Sequence, residues 1–128
     1  MEKSMYHYKA IITDIYDADT VTADIDLGCG VWIKGEKLRL FGINAPEMRG
    51  PEKKQGTISR DWLREEIWET DVSNERIYDN PVIIKTIKDK TGKYGRLLAV
   101  IYMQDSAGQW INLNELMVEL GYAVKKDY

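Results

Sequence analysis

The sequence is poor in cysteine, in proline and in long apolar runs, and each shortage excludes a class of protein. The single cysteine, Cys29, excludes an intramolecular disulfide and a zinc site built from several thiolates. Three prolines and ten glycines are too few for a collagen-like or linker-rich chain. No run of about 20 apolar residues is present for a membrane span, and no signal-peptide core is visible, so we expect a cytoplasmic protein.

Basic residues are also in the minority. The 18 lysines and arginines stand against 21 aspartates and glutamates, which gives a net charge of −3. This balance excludes a generally basic nucleic-acid-binding surface, although it leaves room for a local basic site. Apolar residues make up 44% of the chain, which is typical of a globular protein with a core, and the length fits one domain over residues 1–128.

The first half of the chain alternates polar and apolar residues with the period of β-strands. Residues 20–27 show this most clearly, with aliphatic residues on one face and threonine and aspartates on the other. Residues 8–16 and 31–43 have the composition of neighbouring strands, the second with a bulge at residues 35–36. Together the three stretches predict an antiparallel meander.

The second half predicts helices and further strands. Thr57 or Ser59 is placed to cap a helix that runs to about residue 69. Asn112 or Asn114 is placed to cap a second helix, which Gly121 ends. The other predicted features are a loop at 44–55, strands at 81–87 and 96–103, a loop at 89–95, a hairpin turn at 105–108, and inward residues Leu113, Leu116, Met117 and Leu120 on the second helix.

The order of these elements indicates the fold class. Three strands, a helix, two strands and a helix predict a mainly β (α+β) protein, a five-stranded Greek-key OB-fold barrel with an inserted helix and a short second helix. Another α+β roll is the alternative on pattern alone.

Three polar segments at predicted strand ends are candidates for chemistry. The turn at residues 17–20, Asp-Ala-Asp-Thr, offers carboxylates that suit calcium or magnesium, although aspartate is also a common turn residue. Arg39 lies on an otherwise apolar strand and needs an anion partner or an open groove, a structural salt bridge to Glu47 or an aspartate being the alternative. Residues 85–96 hold five basic residues and one acidic residue, so they predict a phosphate-binding segment or a solvated hairpin tip. A fourth segment, residues 112–116, is interpreted as a structural helix cap.

Taken together, these segments resemble the staphylococcal nuclease (thermonuclease) family over nearly the whole chain. The family's Asp-Gly-Asp-Thr turn is similar to residues 17–20, and its Arg-Leu strand with the following Asp-Thr-Pro-Glu loop is similar to residues 39–47. Its Lys-Tyr-Gly-Arg motif is similar to residues 93–96, and its helix that begins with Val-Asn is similar to residues 111–121. The order and spacing of all four segments agree.

The resemblance implies a calcium-dependent nuclease with an OB-fold barrel. Such an enzyme hydrolyses phosphodiester bonds of DNA and RNA, breaks the bond to the 5′ oxygen and leaves a 3′-phosphate. The resemblance implies that Asp19, Asn44 and the backbone carbonyl of Ala45 are the calcium ligands and that Glu47 is the general base. It implies that Arg39 and Arg96 contact the scissile phosphate, and that Lys93 and Tyr94 contact the neighbouring phosphate.

Three departures from the family pattern modify these expectations. Asn44 replaces the most typical aspartate, and its uncharged amide oxygen predicts weaker calcium binding. Ala18 replaces a glycine, which is tolerable unless the backbone there has positive φ. The family's usual C-terminal helix is not found before Tyr128, so we expect either a monomer or self-association through the barrel face that this helix covers.

The expected partner is single-stranded DNA or RNA, with no membrane. A non-catalytic OB-fold module that binds nucleic acid or protein is the alternative function. Degenerate domains of that kind usually lose the arginines or the acids of the site, and this chain keeps them, which favours an active nuclease. A short chain without a signal also suits an origin in a phage or a mobile element.

Overall fold

A three-stranded antiparallel meander forms the first half of the molecule. The computed structural model describes residues 6–69, 73–91 and 96–126, and for residues 88–91 only the backbone. The meander consists of β1 (His7–Asp17), β2 (Thr20–Asp26) and β3 (Trp32–Leu40), which confirms the prediction. In β2 every second residue is buried, because successive side chains point to opposite faces of a sheet. The predicted bulge is present where the pairing of β2 with β3 shifts register opposite Asp24.

Two further long strands close the sheet into a barrel. β5 (Pro81–Thr91) pairs antiparallel with β1, and β6 (Leu97–Gln104) pairs antiparallel with β5. The start of β6 runs parallel to the end of β3, with residues 38–40 opposite residues 97–99. This pairing joins the two edges of the sheet, so the five strands form the predicted OB-type barrel.

The third strand is shorter than the sequence predicts. β3 ends at Leu40, and the next two residues form a turn in which Gly42 has φ +81°. The chain then enters a two-residue strand, β4 (Ile43–Asn44), so the continuous strand predicted over residues 31–43 is wrong in its last part. Positive φ at Gly42 lets the chain turn out of the barrel without the steric cost that a side chain imposes there.

The predicted loop at residues 89–95 is also wrong in part. β5 continues to Thr91, because its pairing with β6 extends through Thr91 opposite Leu97. Residues 92–95 lie outside the described residues. The hairpin turn at 105–108 is confirmed, since Asp105 Oδ1 accepts hydrogen bonds from two backbone amides of the turn and its end. It leads into β7 (Trp110–Asn112), which pairs with β6.

The inserted helix, α1 (Lys53–Ile67), begins four residues before the predicted cap. A single 3-10 turn that contains Pro51 leads directly into it, and proline is well accommodated at the start of a helix because its missing amide has no partner there. Thr57 is therefore inside the helix, where its hydroxyl donates to the Lys53 carbonyl, and Ser59 Oγ donates to the Tyr122 carbonyl at 2.7 Å. Neither residue is an N-cap, so that prediction is wrong.

The second helix, α2 (Leu113–Glu119), has the predicted cap and the predicted end. Asn112 Oδ1 accepts from the Glu115 amide at 3.1 Å. Gly121 has φ +85°, and the amide that follows it donates to the Met117 carbonyl, as in a Schellman motif. Leu120 was predicted to face inward, but it is 54% exposed because the helix has already ended at this point. A two-residue strand, β8 (Val124–Lys125), then pairs with β4.

One hydrophobic cluster fills the barrel and extends under both helices. Its fully buried side chains include Ile12, Ile15, Leu38, Leu40, Ile84 and Ile101 from the strands and Leu63, Ile67 and Met117 from the helices. In the part of the chain that the structure describes, no helix is long and apolar enough to span a membrane.

Candidate active site

The turn between β1 and β2 holds a buried carboxylate. Asp19 is only 7% exposed, and the backbone amide of Asp19 donates to Asp17 Oδ1, which fixes the turn. Asp19 Oδ1 accepts from the Thr20 hydroxyl at 3.2 Å, and Asp19 Oδ2 accepts from the Ala45 amide at 2.8 Å. Ala18 is not among the residues with positive φ, so alanine fits where the family has glycine.

Arg39 is the main partner of this carboxylate. Its Nη1 lies 3.3 Å from Asp19 Oδ2, and its Nη2 donates to Asn44 Oδ1 at 3.0 Å. Nη1 also lies within hydrogen-bonding distance of the carbonyls of Leu40 and Asp19, at 3.2 and 3.4 Å. Arg39 is 7% exposed, so it forms the buried salt bridge to an aspartate that the sequence left as the structural alternative to an open groove.

The register of the strands explains this meeting. Thr20, at the start of β2, lies opposite Arg39, near the end of β3. The Leu40 amide donates to the Asp19 carbonyl at 2.8 Å, which ties the first turn to the end of β3. Four of the predicted site residues are therefore brought into one hydrogen-bonded cluster, namely Asp19, Arg39, Asn44 and Ala45.

Arg96 reaches the same turn from another strand. It lies immediately before β6, and its Nη1 donates to the Thr20 hydroxyl at 3.1 Å. The same hydroxyl donates to Asp19 Oδ1, so Thr20 connects Arg96 to the buried carboxylate. The parallel pairing of β3 with β6 accounts for this approach, because it places the first residues of β6 beside the last residues of β3.

Glu47 stands apart from the cluster. It is exposed on the loop two residues after Ala45, and among the described residues its side chain makes no hydrogen bond or ion pair. Its backbone is held by α1, because Gly56 packs directly against the Glu47 carbonyl. Lys93 and Tyr94, predicted to contact the neighbouring phosphate, lie outside the described residues.

The two carboxylates of the turn, Asp17 and Asp19, lie near two guanidinium groups, those of Arg39 and Arg96. Burial, with a hydrogen bond and charge repulsion from Asp19, raises the pKa of Asp17 to about 7. The charge of Asp19 is balanced by Arg39 at 3.3 Å. In the ranges that the structure describes, no group of three or more histidine, cysteine, aspartate or glutamate side chains is arranged to hold a metal ion.

The oxygen donors of the cluster nevertheless fit a hard divalent cation in kind. A carboxylate, an amide oxygen and a backbone carbonyl are the ligand types that calcium prefers. These oxygens belong to Asp19, Asn44 and Ala45, but Arg39 already forms an ion pair with Asp19 Oδ2 and donates a hydrogen bond to Asn44 Oδ1. A cation held here has to share these oxygens with the guanidinium, and only one of the three ligands is charged.

The sequence also matches a known family. The family model described as "Staphylococcal nuclease homologue" matches residues 37–128, which is 92 of the 128 residues. The chain belongs to this family. The matched range includes Arg39, Asn44, Glu47 and Arg96, whereas the turn with Asp19 precedes it.

Other comparisons add little about function. No curated protein matches the chain. Among solved structures, the chain is similar to the human TDRD1 extended Tudor domain, whose crystal structure was determined in complex with a symmetrically dimethylated E2F peptide. The two share 8% sequence identity with a TM-score of 0.43, over 98% of this chain and 68% of that chain. This similarity is too weak to carry an argument.

Three residues shape the site in ways that the sequence pattern did not indicate. Thr20 was part of the quoted turn motif, yet its hydroxyl turns out to link Arg96 to Asp19. Asn114 was interpreted as a helix cap, but it is 3% exposed and its Nδ2 donates to the carbonyls of Phe41 and Ala99, which fixes the turn that leads to Asn44. Gly56 carried no signal beyond being a glycine near a predicted helix start.

Proposed function

We propose that the chain is a calcium-dependent nuclease that hydrolyses single-stranded DNA or RNA and leaves 3′-phosphate ends. The observation that carries this proposal is that Arg39 and Arg96, from two different strands, converge on the Asp19–Thr20 turn. One guanidinium is paired with the Asp19 carboxylate, and the other is bonded to the Thr20 hydroxyl beside it. Membership of the staphylococcal nuclease homologue family supports the same activity.

The chemistry of phosphodiester hydrolysis suits these residues. Negative charge grows on the phosphate oxygens in the transition state, and positioned guanidinium groups stabilise it. Arg96 is the better exposed of the two arginines, whereas Arg39 is buried against Asp19 and Asn44. Glu47, exposed on the loop two residues after Ala45, is the carboxylate that we assign to take the proton of the attacking water.

Calcium would be held by Asp19, Asn44 and the Ala45 carbonyl. When bound, it would supply charge neutralisation at the phosphate and orient the water. Asn44 brings no negative charge, so we propose weak binding that depends mainly on Asp19.

A non-catalytic module that binds nucleic acid is the second candidate, and one observation favours it. Arg39 directs both terminal nitrogens to protein oxygens, so a substrate phosphate has to compete with Asp19 and Asn44 for it. A chain in which Arg39 is structural would bind phosphate through Arg96 without completing a hydrolytic site.

One experiment separates the two candidates. Purified protein is incubated with 5′-labelled single-stranded DNA in calcium or in EDTA, and the products are resolved on a denaturing gel. A nuclease gives calcium-dependent fragments that phosphatase treatment shows to end in 3′-phosphate. Binding of the labelled strand without calcium-dependent cleavage would instead identify the non-catalytic module, and Glu47→Gln serves as the matched inactive control.

A further inference from the structure

A concave groove on the outside of the meander borders the site described above. It has a volume of about 400 Å³ and is lined by Asp14, Tyr16, Thr20, Thr22, Lys37 and Arg96. We call it the outer groove. Thr22 on β2 is paired with Asp14 on β1 and with Lys37 on β3, so one row of side chains crosses three neighbouring strands.

The outer groove is continuous with the candidate active site. Its lining includes both Thr20 and Arg96, whose 3.1 Å hydrogen bond leads to the Asp19 carboxylate. When the scissile phosphate of a single-stranded nucleic acid lies at Arg96, the next nucleotide therefore lies beside this groove. Lys37 lies two residues before Arg39, the other arginine proposed for the scissile phosphate, and this is about 7 Å along β3. That distance is comparable to the spacing of neighbouring phosphates in an extended single strand.

The side chains of the groove are suited to a nucleotide. Tyr16 is 63% exposed, so its ring is available to a base, and stacking on an aromatic ring tolerates any base. Among the described residues that line it, the cations Lys37 and Arg96 come from β3 and from the position before β6, whereas the carboxylate of Asp14 comes from β1. This separation favours a ligand with an anionic side and an uncharged polar side.

We propose that the outer groove binds the nucleotide next to the scissile phosphate, with its base on Tyr16 and its phosphate on Lys37. This assignment rests on the proposed nuclease function and names the direction in which the strand leaves the site. The ligand is a single strand, because a base inside a duplex has no free face for Tyr16.

Binding without turnover tests the assignment most directly. Fluorescein-labelled (dT)10 is titrated with the full chain in EDTA, and fluorescence anisotropy gives the dissociation constant at several salt concentrations. Tyr16→Ala is expected to weaken binding about tenfold, and Tyr16→Phe, which keeps the ring, should bind like the wild type. Lys37→Ala should reduce the slope of log affinity against log salt by about 0.7, the value for one phosphate contact on a single strand.

Matched controls exist on the same molecule. Tyr78 is 60% exposed and does not line the groove, so Tyr78→Ala controls for loss of an exposed tyrosine. Lys9 is exposed on β1, seven residues before Tyr16 and about 23 Å away along the strand, so Lys9→Ala controls for loss of one positive charge. Both controls should bind (dT)10 as the wild type does.

Cleavage assays in calcium then distinguish failure of this proposal from failure of the nuclease proposal. One outcome is that the wild type cleaves while both variants, Tyr16→Ala and Lys37→Ala, keep the affinity and KM of the wild type. In that case the groove assignment is wrong and the nuclease proposal stands. If the wild type binds (dT)10 through Tyr16 but never cleaves, only hydrolysis is refuted. A chain that neither binds (dT)10 nor cleaves it refutes both proposals. If an oligoglutamate peptide displaces labelled (dT)10 as well as unlabelled (dT)10 does, the groove recognises charge alone and the assignment is wrong.

Discussion

Gly56, in the first turns of α1, packs so closely against the backbone carbonyl of Glu47 that no side chain fits between them. A Cβ atom at Gly56 would overlap the Glu47 carbonyl oxygen, and it would lie 2.8 Å from the Glu47 carbonyl carbon and 3.0 Å from the Pro46 carbonyl oxygen. The helix therefore sets the position of the loop that carries the proposed general base.

The first prediction follows from this contact. Gly56→Ala should lower kcat on single-stranded DNA by about 10- to 100-fold, because the added methyl displaces the Glu47 loop and small displacements of catalytic groups have large effects. It should also destabilise the fold by about 1–3 kcal/mol through overpacking. The measurements are steady-state kinetics and urea unfolding.

Helix propensity alone predicts that Gly56→Ala stabilises the fold. Glycine to alanine inside a helix stabilises by about 1 kcal/mol when nothing blocks the methyl. Thr57→Ala, at the next position of α1, is the control and should leave kcat unchanged. A stabilised Gly56→Ala protein with normal kcat would show that the loop does not depend on this contact.

The sequence predicts the barrel well because its signals are local. Alternation in β2 and the turn residues at 105–108 identify elements without knowledge of the rest of the chain. The ends of the elements are harder to predict where no capping residue marks them. The residues before Thr57 lack a capping side chain, so the start of α1 at Lys53 could not be predicted from capping residues.

The site depends on register, which the sequence does not specify directly. Arg39 contacts Asp19 because Thr20, the next residue, is paired with Arg39. A bulge near Gly35 shifts the register of β3 before it reaches this pair. A shift of one residue would turn Arg39 to the other face of the sheet. Pattern alone therefore left a salt bridge and an open groove as equal possibilities for Arg39, and only the assembled barrel distinguishes them.

The second prediction separates the two arginines. Arg39→Ala and Arg96→Ala should each lower kcat/KM at least about 100-fold, because each removes a cationic donor from the phosphate. Only Arg39→Ala should also destabilise the fold, by about 2–4 kcal/mol, because it leaves the buried Asp19 carboxylate without its ion pair. Asp19 keeps two other hydrogen-bond donors, which limits the loss.

Urea unfolding beside the kinetics tests this difference, and Arg39→Lys is the informative companion. Lysine keeps the charge but cannot reach both Asp19 and Asn44 with a planar fork, so it should recover part of the stability and little of the activity. Wild-type kcat/KM in both alanine variants would mean that these arginines do not act on the phosphate.

The third prediction concerns pH and a group far from the proposed ligands. Partial desolvation of its carboxyl, with repulsion from Glu69 and Glu65, raises the pKa of Glu66 above its ordinary value. The folded state therefore binds this proton more tightly than the unfolded state does. The protein loses stability as the pH rises through the folded-state pKa and Glu66 ionises. Glu66→Gln should stabilise by a few tenths of a kcal/mol at pH 7, and the gain should vanish below the ordinary pKa.

Thermal unfolding of both proteins from pH 3.5 to pH 8 measures this effect. Glu65→Gln is the control, since it gives up an ion pair with Arg76 at 3.0 Å and should gain less at neutral pH. A Glu66→Gln protein that is less stable than the wild type at pH 7 would contradict the expected sign.

The last prediction concerns Asn44 and calcium. Asn44→Asp keeps the size of the side chain and adds a negative charge beside Asp19, so it should tighten calcium binding about tenfold from the ~10⁻⁴–10⁻³ M range of weak sites. The new carboxylate also gains an ion pair with Arg39, whose Nη2 already lies 3.0 Å from Asn44 Oδ1, so the calcium-free protein should be more stable too. Calcium titrations of activity and of melting temperature give the midpoint independently. Asn112→Asp makes the same change at the α2 cap and should leave the midpoint unchanged. If Asn44→Asp also leaves it unchanged in both titrations, Asn44 is not a ligand and the proposed calcium site is wrong.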